Sequence, residues 1–254
     1  MQLNLAIIGV QKASTTALAL YLNQHPKIYF PPIKETHFFR RPLTEQGPAG
    51  RDVGRLNQRF TDAPDGSILG DGTPIYIYWP HALELLKAHN PQIKLIISLR
   101  HPVERAYSAW SMERRREREP LSFSDAIRSG RARVQDAPFG VHNIYSYVER
   151  GFYADQLARV FGLFHRDQVF IMRADQVTAA NPIMRSLQSF LDLEPIRFQA
   201  INDNVNPSSL PSAPGLREDF TYLQELYQED LARLADMIDI DISDWATVPD
   251  ARFV

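Results

Sequence analysis

The sequence predicts an α/β fold, one domain over residues 1–254, with a central, mostly parallel sheet flanked by helices on both faces. Three observations predict it. Short apolar runs alternate along the chain with stretches of helical periodicity, the pattern of strand–helix–strand units. The run IKLIISL at 93–99 is apolar without alternation, as expected of a central strand covered on both sides. No repeat, low-complexity tract or linker divides the chain.

The elements follow in order. An apolar run over 3–9 predicts the first strand, and a helical pattern over 15–24 ends at His25-Pro26. Ile28-Tyr29-Phe30 reads as a short strand stopped by Pro31-Pro32. Residues 40–66, rich in Gly, Pro, Arg and Asp, read as a loop excursion near the substrate mouth with one short helix. A short strand and a turn occupy 68–78, and a helix covers about 79–89. After the strand at 93–99, Pro102 starts a helix running to about 118, proline being favoured in the first helical turn. The run Glu113 to Glu119, with its four arginines, reads as a solvated helix face with Arg/Glu pairing. Helices near 122–130 and 152–164, a strand at 168–172 and a helix at 181–191 complete the α/β pattern. The Asn/Pro/Ser-rich stretch 202–215 reads as a loop, and an amphipathic helix fills about 216–239.

Composition narrows the function classes. Net charge is −2 at pH 7, so nothing pulls the whole molecule toward nucleic acid and any anion must be held locally. There are no cysteines, which excludes disulfides and thiolate metal sites and fits a reducing compartment. No apolar run is long enough for a membrane span, and the N-terminus enters a strand pattern without a signal-peptide profile. These features lead to the expectation of a cytoplasmic protein. Oligomeric state is not legible.

Three stretches carry chemistry. The first is LAIIGVQKASTTAL, residues 5–18. A strand ends at Gly9, a short loop carries Lys12, and a helix begins at Thr15 and Thr16. Unpaired N–H groups at a helix start and the helix dipole favour an anion, and Lys12 adds a point charge. The spacing is not that of a Walker A loop, because Lys12 follows Gly9 by three residues and no second glycine appears. The second is Arg100-His101-Pro102-Val103-Glu104-Arg105-Ala106-Tyr107-Ser108, just beyond the strand at 93–99. Ligands of open α/β sheets bind beyond the carboxyl ends of strands. The residues alone leave two readings level: Arg100 and Ser108 on a phosphate, or Arg100 paired with Glu104 and Ser108 filling a helix. The third is Lys34-Glu35-Thr36-His37-Phe38-Phe39. In an extended segment Glu35 and His37 would face the same way, with aromatic neighbours raising the basicity of the carboxylate. A sheet edge bearing two polar residues is the plainer alternative.

Together, in this order and spacing, the three stretches resemble sulfotransferases that use 3′-phosphoadenosine 5′-phosphosulfate (PAPS), in particular the heparan sulfate branch in a soluble, bacterial-type form. Gln11-Lys12-Ala13-Ser14-Thr15-Thr16-Ala17-Leu18 is similar to that family's Q-K-x-G-T-T-x-L, with Ser14 in place of glycine. R-x-P-x-x-R-A-x-S resembles its 3′-phosphate motif, and residues 34–39 its K-E-x-H-F-F segment. Gly70-Asp71-Gly72-Thr73-Pro74-Ile75-Tyr76 resembles G-E-K-[ST]-P-x-Y, with Asp71 for glutamate and Gly72 where a lysine is frequent. Gly151-Phe152-Tyr153 with Leu157 resembles G-x-Y-x-x-x-L.

The resemblance implies a P-loop-like domain that transfers the sulfuryl group from PAPS to a hydroxyl or amine, leaving PAP. It implies that Lys12, Ala13, Ser14, Thr15 and Thr16 hold the 5′-phosphosulfate and that Arg100 and Ser108 hold the 3′-phosphate. It implies Glu35 as general base, His37 beside the acceptor, and Arg105 as structural. The acceptor so implied is a glycan, a glycolipid or a secondary metabolite, and no metal is implied. Two alternatives stand beside this reading: a P-loop nucleotide kinase or NTPase, and a non-catalytic module that binds PAP or a glycan. The aromatics Phe38, Phe39, Tyr76, Tyr78 and Trp79 read as core before acceptor cleft.

Overall fold

The computed structural model describes residues 1–40, 53–201 and 215–249. These fall into two compact units, 1–99 with 159–201 and 100–158 with 215–249. The loop expected at 202–215 lies outside the described residues from 202 to 214, as does the 41–52 part of the 40–66 excursion. No described helix is long and apolar enough to cross a membrane.

The first unit holds a sheet of five described strands in the order β2-β3-β1-β4-β5. They are β1 (Leu5–Gly9), β2 (Ile28–Tyr29), β3 (Ile68–Asp71), β4 (Lys94–Leu99) and β5 (Val169–Arg173), and every pairing is parallel. Leu5, Ile7 and Ile96 point to one face, and Ala6, Ile8, Leu95 and Ile97 to the other; all are wholly buried. Both faces are therefore covered, which is why the strand runs show no polar alternation. On the first face, helices α1 (Thr15–Leu22) and α8 (Ile183–Phe190) pack Leu18, Leu22, Met184 and Leu187 against Leu5, Ile7 and Ile96. Each such side chain contributes about 1.5–3 kcal/mol on burial. Two short elements between β2 and β3 and between β3 and β4 are α2 (Val53–Asn57) and α3 (Ala82–His89).

The chain runs from β1 outward to β2, returns to β3, and then crosses to β4 on the far side of β1. The winding direction reverses at β1. The carboxyl end of β1 is thus the topological switch point, where open parallel sheets take their ligands.

The second unit begins at Arg100. It contains α4 (Pro102–Arg115), α5 (Phe123–Ile127), α6 (Ala132–Gln135), the start of α7 (Tyr153–Leu163) and α9 (Leu216–Met237). Tyr107, Trp110, Phe123 and Phe220 form an aromatic centre, with Tyr107 and Phe123 edge-to-face at 4.8 Å. Helix α4 stops three residues before the expected end. Glu117 adopts a left-handed φ of 58°, and Arg118 N donates to Glu113 O at 3.0 Å, the bond that closes a helix C-terminus. The expected Arg/Glu pairing is present, but two of its glutamates are not solvated. Glu113 and Glu119 are buried, Glu113 paired with Arg118 at 2.7 Å and Glu119 held by both ends of Arg133 at 2.9 and 3.0 Å. Arg105 is fully buried and donates to Tyr147 O, consistent with a structural place.

Candidate functional site

The β1–α1 connection departs from regular strand geometry before the helix begins. Between Ile7 and Gly9 the pairing with β4 shifts register, and Val10 N then donates to Ser98 O at 2.8 Å. A Cβ at Gly9 would sit 2.6 Å from Ile77 Cγ2, so only glycine lets the chain leave the sheet here. Lys12 and Ser14 both adopt left-handed conformations, φ 71° and 55°. Ala13 and Thr15 turn inward and are buried, while Ser14 and Thr16 are exposed and Lys12 is half-buried. Ser14 makes no side-chain cap to α1, and the first turn holds no acidic residue. An anion meeting this helix start meets neither a capping oxygen of Ser14 nor a first-turn carboxylate.

Residues 34–37 are not a strand. His37 has φ 52°, and a 3-10 turn follows at Phe38–Arg40. Glu35 and His37 still meet, with Nε2 3.4 Å from Oε2, but a left-handed turn brings them together and not strand alternation. The aromatics do not enclose the carboxylate. Glu35 takes Lys34 Nζ on its other oxygen at 2.9 Å and is 38% exposed. Phe39 and Tyr76 are instead core, edge-to-face at 5.7 Å, and Tyr78 is buried as well, as expected, whereas Phe38 and Trp79 are only half-buried. Burial holds the His37 imidazole below its ordinary value, outweighing the upward pull of Glu35, so the ring is neutral at pH 7.

What fixes this segment is Asp71, the last residue of β3, to which the sequence reading assigned no role. Its carboxylate is wholly buried and takes four donors: Thr36 N at 3.3 Å, Thr36 Oγ1 at 2.6 Å, Thr73 Oγ1 at 2.6 Å and Tyr76 OH at 2.8 Å. Burial holds its pKa above the ordinary carboxylate value, and the hydrogen bonds from Thr36, Thr73 and Tyr76 offset only part of that rise. Lys34 and Gly72 add a mutual backbone bond of 2.8 Å, with Lys34 Nζ on Gly72 O at 2.8 Å. The following turn joins β1 through Ile77 N on Ile8 O at 2.9 Å, and Arg159 donates to Ile77 O at 2.7 Å. Strands β3 and β1 are parallel neighbours, so the Lys12 loop and the segment anchored at Asp71 stand at the same carboxyl end of the sheet. The one sequence signal for Asp71 is an acidic residue closing an apolar run, followed by Thr-Pro and a tyrosine.

In the second unit Arg100 directly follows β4. Its Nε lies 3.0 Å from Glu104 Oε2, the local pair that the sequence left as an alternative. Glu104 and Ser108 stand one turn apart on α4, so Arg100 and Ser108 share that helix face. The carbonyl of Arg100 accepts Tyr153 OH at 2.8 Å, and burial raises the Tyr153 pKa. Gly151 is required where it stands, since a Cβ there would lie 2.5 Å from the Tyr227 ring.

No protein-family model matches the chain. The chain is 30% identical over 194 residues to human heparan sulfate glucosamine 3-O-sulfotransferase 6, covering 74% of this chain and 52% of that protein. It is 30% identical over 126 residues to the membrane-associated sulfotransferase kil1 of Dictyostelium discoideum, covering 48% of this chain and 26% of that protein. The chain thus spans about a quarter to a half of these curated relatives. A solved sulfotransferase from Alicyclobacillus acidocaldarius superposes with a TM-score of 0.78 at 30% identity, covering 97% of this chain and all of that one.

Proposed function

We propose that this chain, which belongs to the sulfotransferase family, moves the sulfuryl group of PAPS to a hydroxyl or amine of a carbohydrate or a similarly hydroxylated small molecule. The whole of 1–254 serves as one sulfotransferase domain on this reading, working in the cytoplasm. The observation that carries it is the presence, at one carboxyl end of the parallel sheet, of both an acid-free lysine loop and a carboxylate–imidazole pair.

The residues present fit the donor. The helix start at Ser14–Thr16 has no first-turn carboxylate and carries two exposed hydroxyl residues, as a phosphosulfate end needs. PAPS, when bound, supplies a sulfuryl group already attached to a leaving phosphate. Lys12 and the N–H groups of Ala13, Ser14, Thr15 and Thr16 stabilise the negative charge that develops on that phosphate, and one such donor is worth about 3–4 kcal/mol in the transition state. Arg100 and Ser108 hold the 3′-phosphate and set register. Glu35 accepts the proton of the attacking hydroxyl on a carboxylate oxygen, a step worth about 10²–10⁴ in rate. His37, neutral at pH 7, orients that hydroxyl. The acceptor class is inferred from relatives whose names specify heparan sulfate glucosamine.

The test is transfer of radiolabel from PAPS to a panel of desulfated glycans and hydroxylated small molecules, with PAP affinity measured by calorimetry. Lys12→Ala lowers turnover about 10²–10³-fold while PAP binding persists. Near-normal turnover in that variant refutes the assignment. Phosphoryl transfer from ATP with strict magnesium dependence would establish a kinase instead, and tight PAP binding without transfer to any acceptor a binding module.

A further inference from the structure

Four consecutive backbone N–H groups, residues 36–39, end on one side-chain network. Thr36 N donates to Asp71 Oδ1 at 3.3 Å, His37 N to Thr73 Oγ1 at 3.3 Å, Phe38 N to Thr36 Oγ1 at 3.2 Å and Phe39 N to Tyr76 OH at 3.3 Å. This segment belongs to no described strand, so the network does for it what a sheet ladder does for a strand.

We propose that Asp71 is the positioning residue for the proton-accepting pair, setting Glu35 and His37 against each other through Thr36, Thr73 and Tyr76. The proposal rests on the reading of Glu35 as general base. Its physical basis is the direction of the hydrogen bonds. Each hydroxyl has one proton, and Thr36, Thr73 and Tyr76 each direct it to Asp71. Their oxygens are thereby left as acceptors, and those acceptors take the N–H groups of Phe38, His37 and Phe39 respectively. Each carboxylate oxygen of Asp71 takes two donors, so the anion is saturated. An amide at this position would present its own N–H₂ to at least one hydroxyl and reverse the polarity of that branch. Thr36 lies between Glu35 and His37, so its anchoring at Asp71 sets the turn that brings their side chains to 3.4 Å. A misplacement near 1 Å costs about 10²-fold in rate.

The experiment is a coupling measurement that needs no acceptor. The charged groups bearing on His37 are Glu35, Arg40, Asp71 and Lys34. The His37 midpoint is followed by NMR with and without Glu35→Gln. In the wild-type background removing Glu35 lowers the midpoint, because the carboxylate 3.4 Å away favours the charged ring. In Asp71→Asn, and in the near-isosteric Thr36→Val, that difference collapses, while Thr36→Ser restores it. In Asp71→Asn and Thr36→Val, but not in Thr36→Ser, turnover falls about tenfold or more with the KM for PAPS within about threefold. Should Asp71→Asn fail to fold, Thr36→Val decides. An undiminished Glu35–His37 coupling in a folded variant, with only the melting temperature lowered, overturns the proposal and leaves Asp71 a purely structural acid. Normal turnover in Glu35→Gln overturns the base assignment instead, and the coupling result still judges the positioning.

Discussion

Asp230 on α9 offers a sharp quantitative test. Its carboxylate is buried and accepts Tyr153 N at 2.7 Å and Ala154 N at 3.2 and 3.3 Å. These are the first two N–H groups of α7, which have no partner within the helix. Asp230→Ala removes two charge-assisted bonds and strands two buried donors. With part of the loss returned by not desolvating a carboxylate, the net cost is about 3–5 kcal/mol. For a chain of this size 1 kcal/mol moves the midpoint by about 2–4 °C, so a fall of about 10 °C follows. Asp230→Asn keeps one acceptor and costs about 1 kcal/mol. Burial raises the Asp230 pKa above its ordinary value. Its ionised form is therefore penalised on folding, and wild-type stability declines as pH climbs from the ordinary carboxylate value through the raised one. The Asn variant lacks that decline. Urea unfolding of the three proteins from pH 4 to pH 7.5 checks both statements. Because Tyr153 OH holds the carbonyl of Arg100, the Ala variant also binds PAP more weakly. An Ala variant within about 1 kcal/mol of wild type, against the 3–5 expected, refutes the cap.

Other expectations are equally direct. Gly9→Ala drives a methyl group to 2.6 Å from Ile77 Cγ2 and costs about 1–3 kcal/mol by chemical denaturation, with weaker PAP binding by calorimetry. Ser14→Gly relieves a left-handed serine that caps nothing, and its gain of up to about 1 kcal/mol is net of the greater freedom of glycine in the unfolded chain. A destabilised glycine variant would show that the Ser14 hydroxyl holds the loop. His101 caps α4 by accepting Val103 N on Nδ1 at 3.3 Å, with Nε2 3.2 Å from Thr247 O. Burial holds its pKa below 6.5, so the stability of the neutral form is complete above pH 6.5 and is lost as pH falls from there through the lowered value. His101→Asn keeps a cap and flattens that loss in urea midpoints measured at pH 7.5 and 5.5.

The fold is legible in the sequence wherever local pattern decides structure. The β1–loop–α1 unit was legible because the apolar period changes from strand to helix across Gly9, and Ser14 now shows why a glycine is usual there: the backbone is left-handed. Strand alternation failed at Glu35 and His37. The segment has no ladder, and its shape comes from an aspartate 35 residues beyond Thr36, a pairing that no local period contains. The same holds for Glu119, whose partner Arg133 lies 14 residues away and turns an expected surface charge into a buried pair. Helix α4 ended early at a left-handed glutamate, a conformation that composition does not announce.

The pairing of Arg100 with Glu104 is compatible with a phosphate-binding role for Arg100. A partly exposed i,i+4 ion pair is worth only tenths of a kcal/mol, because water screens it and two side chains lose freedom. A phosphate group brings a larger charge and several acceptor oxygens to a planar guanidinium, and charge-assisted bonds of that kind are about twice as strong as neutral ones. Displacing or sharing Glu104 therefore costs little against what the phosphate supplies. In the meantime Glu104 holds Arg100 against the face of α4 that carries Ser108, so part of the rotamer entropy is already lost before the ligand arrives. On this reading Glu104→Gln leaves Arg100 less ordered, and the loss appears in PAP affinity and not in the turnover of saturated enzyme. On the proposed reading Glu104 bears on binding and Asp71 on the chemical step.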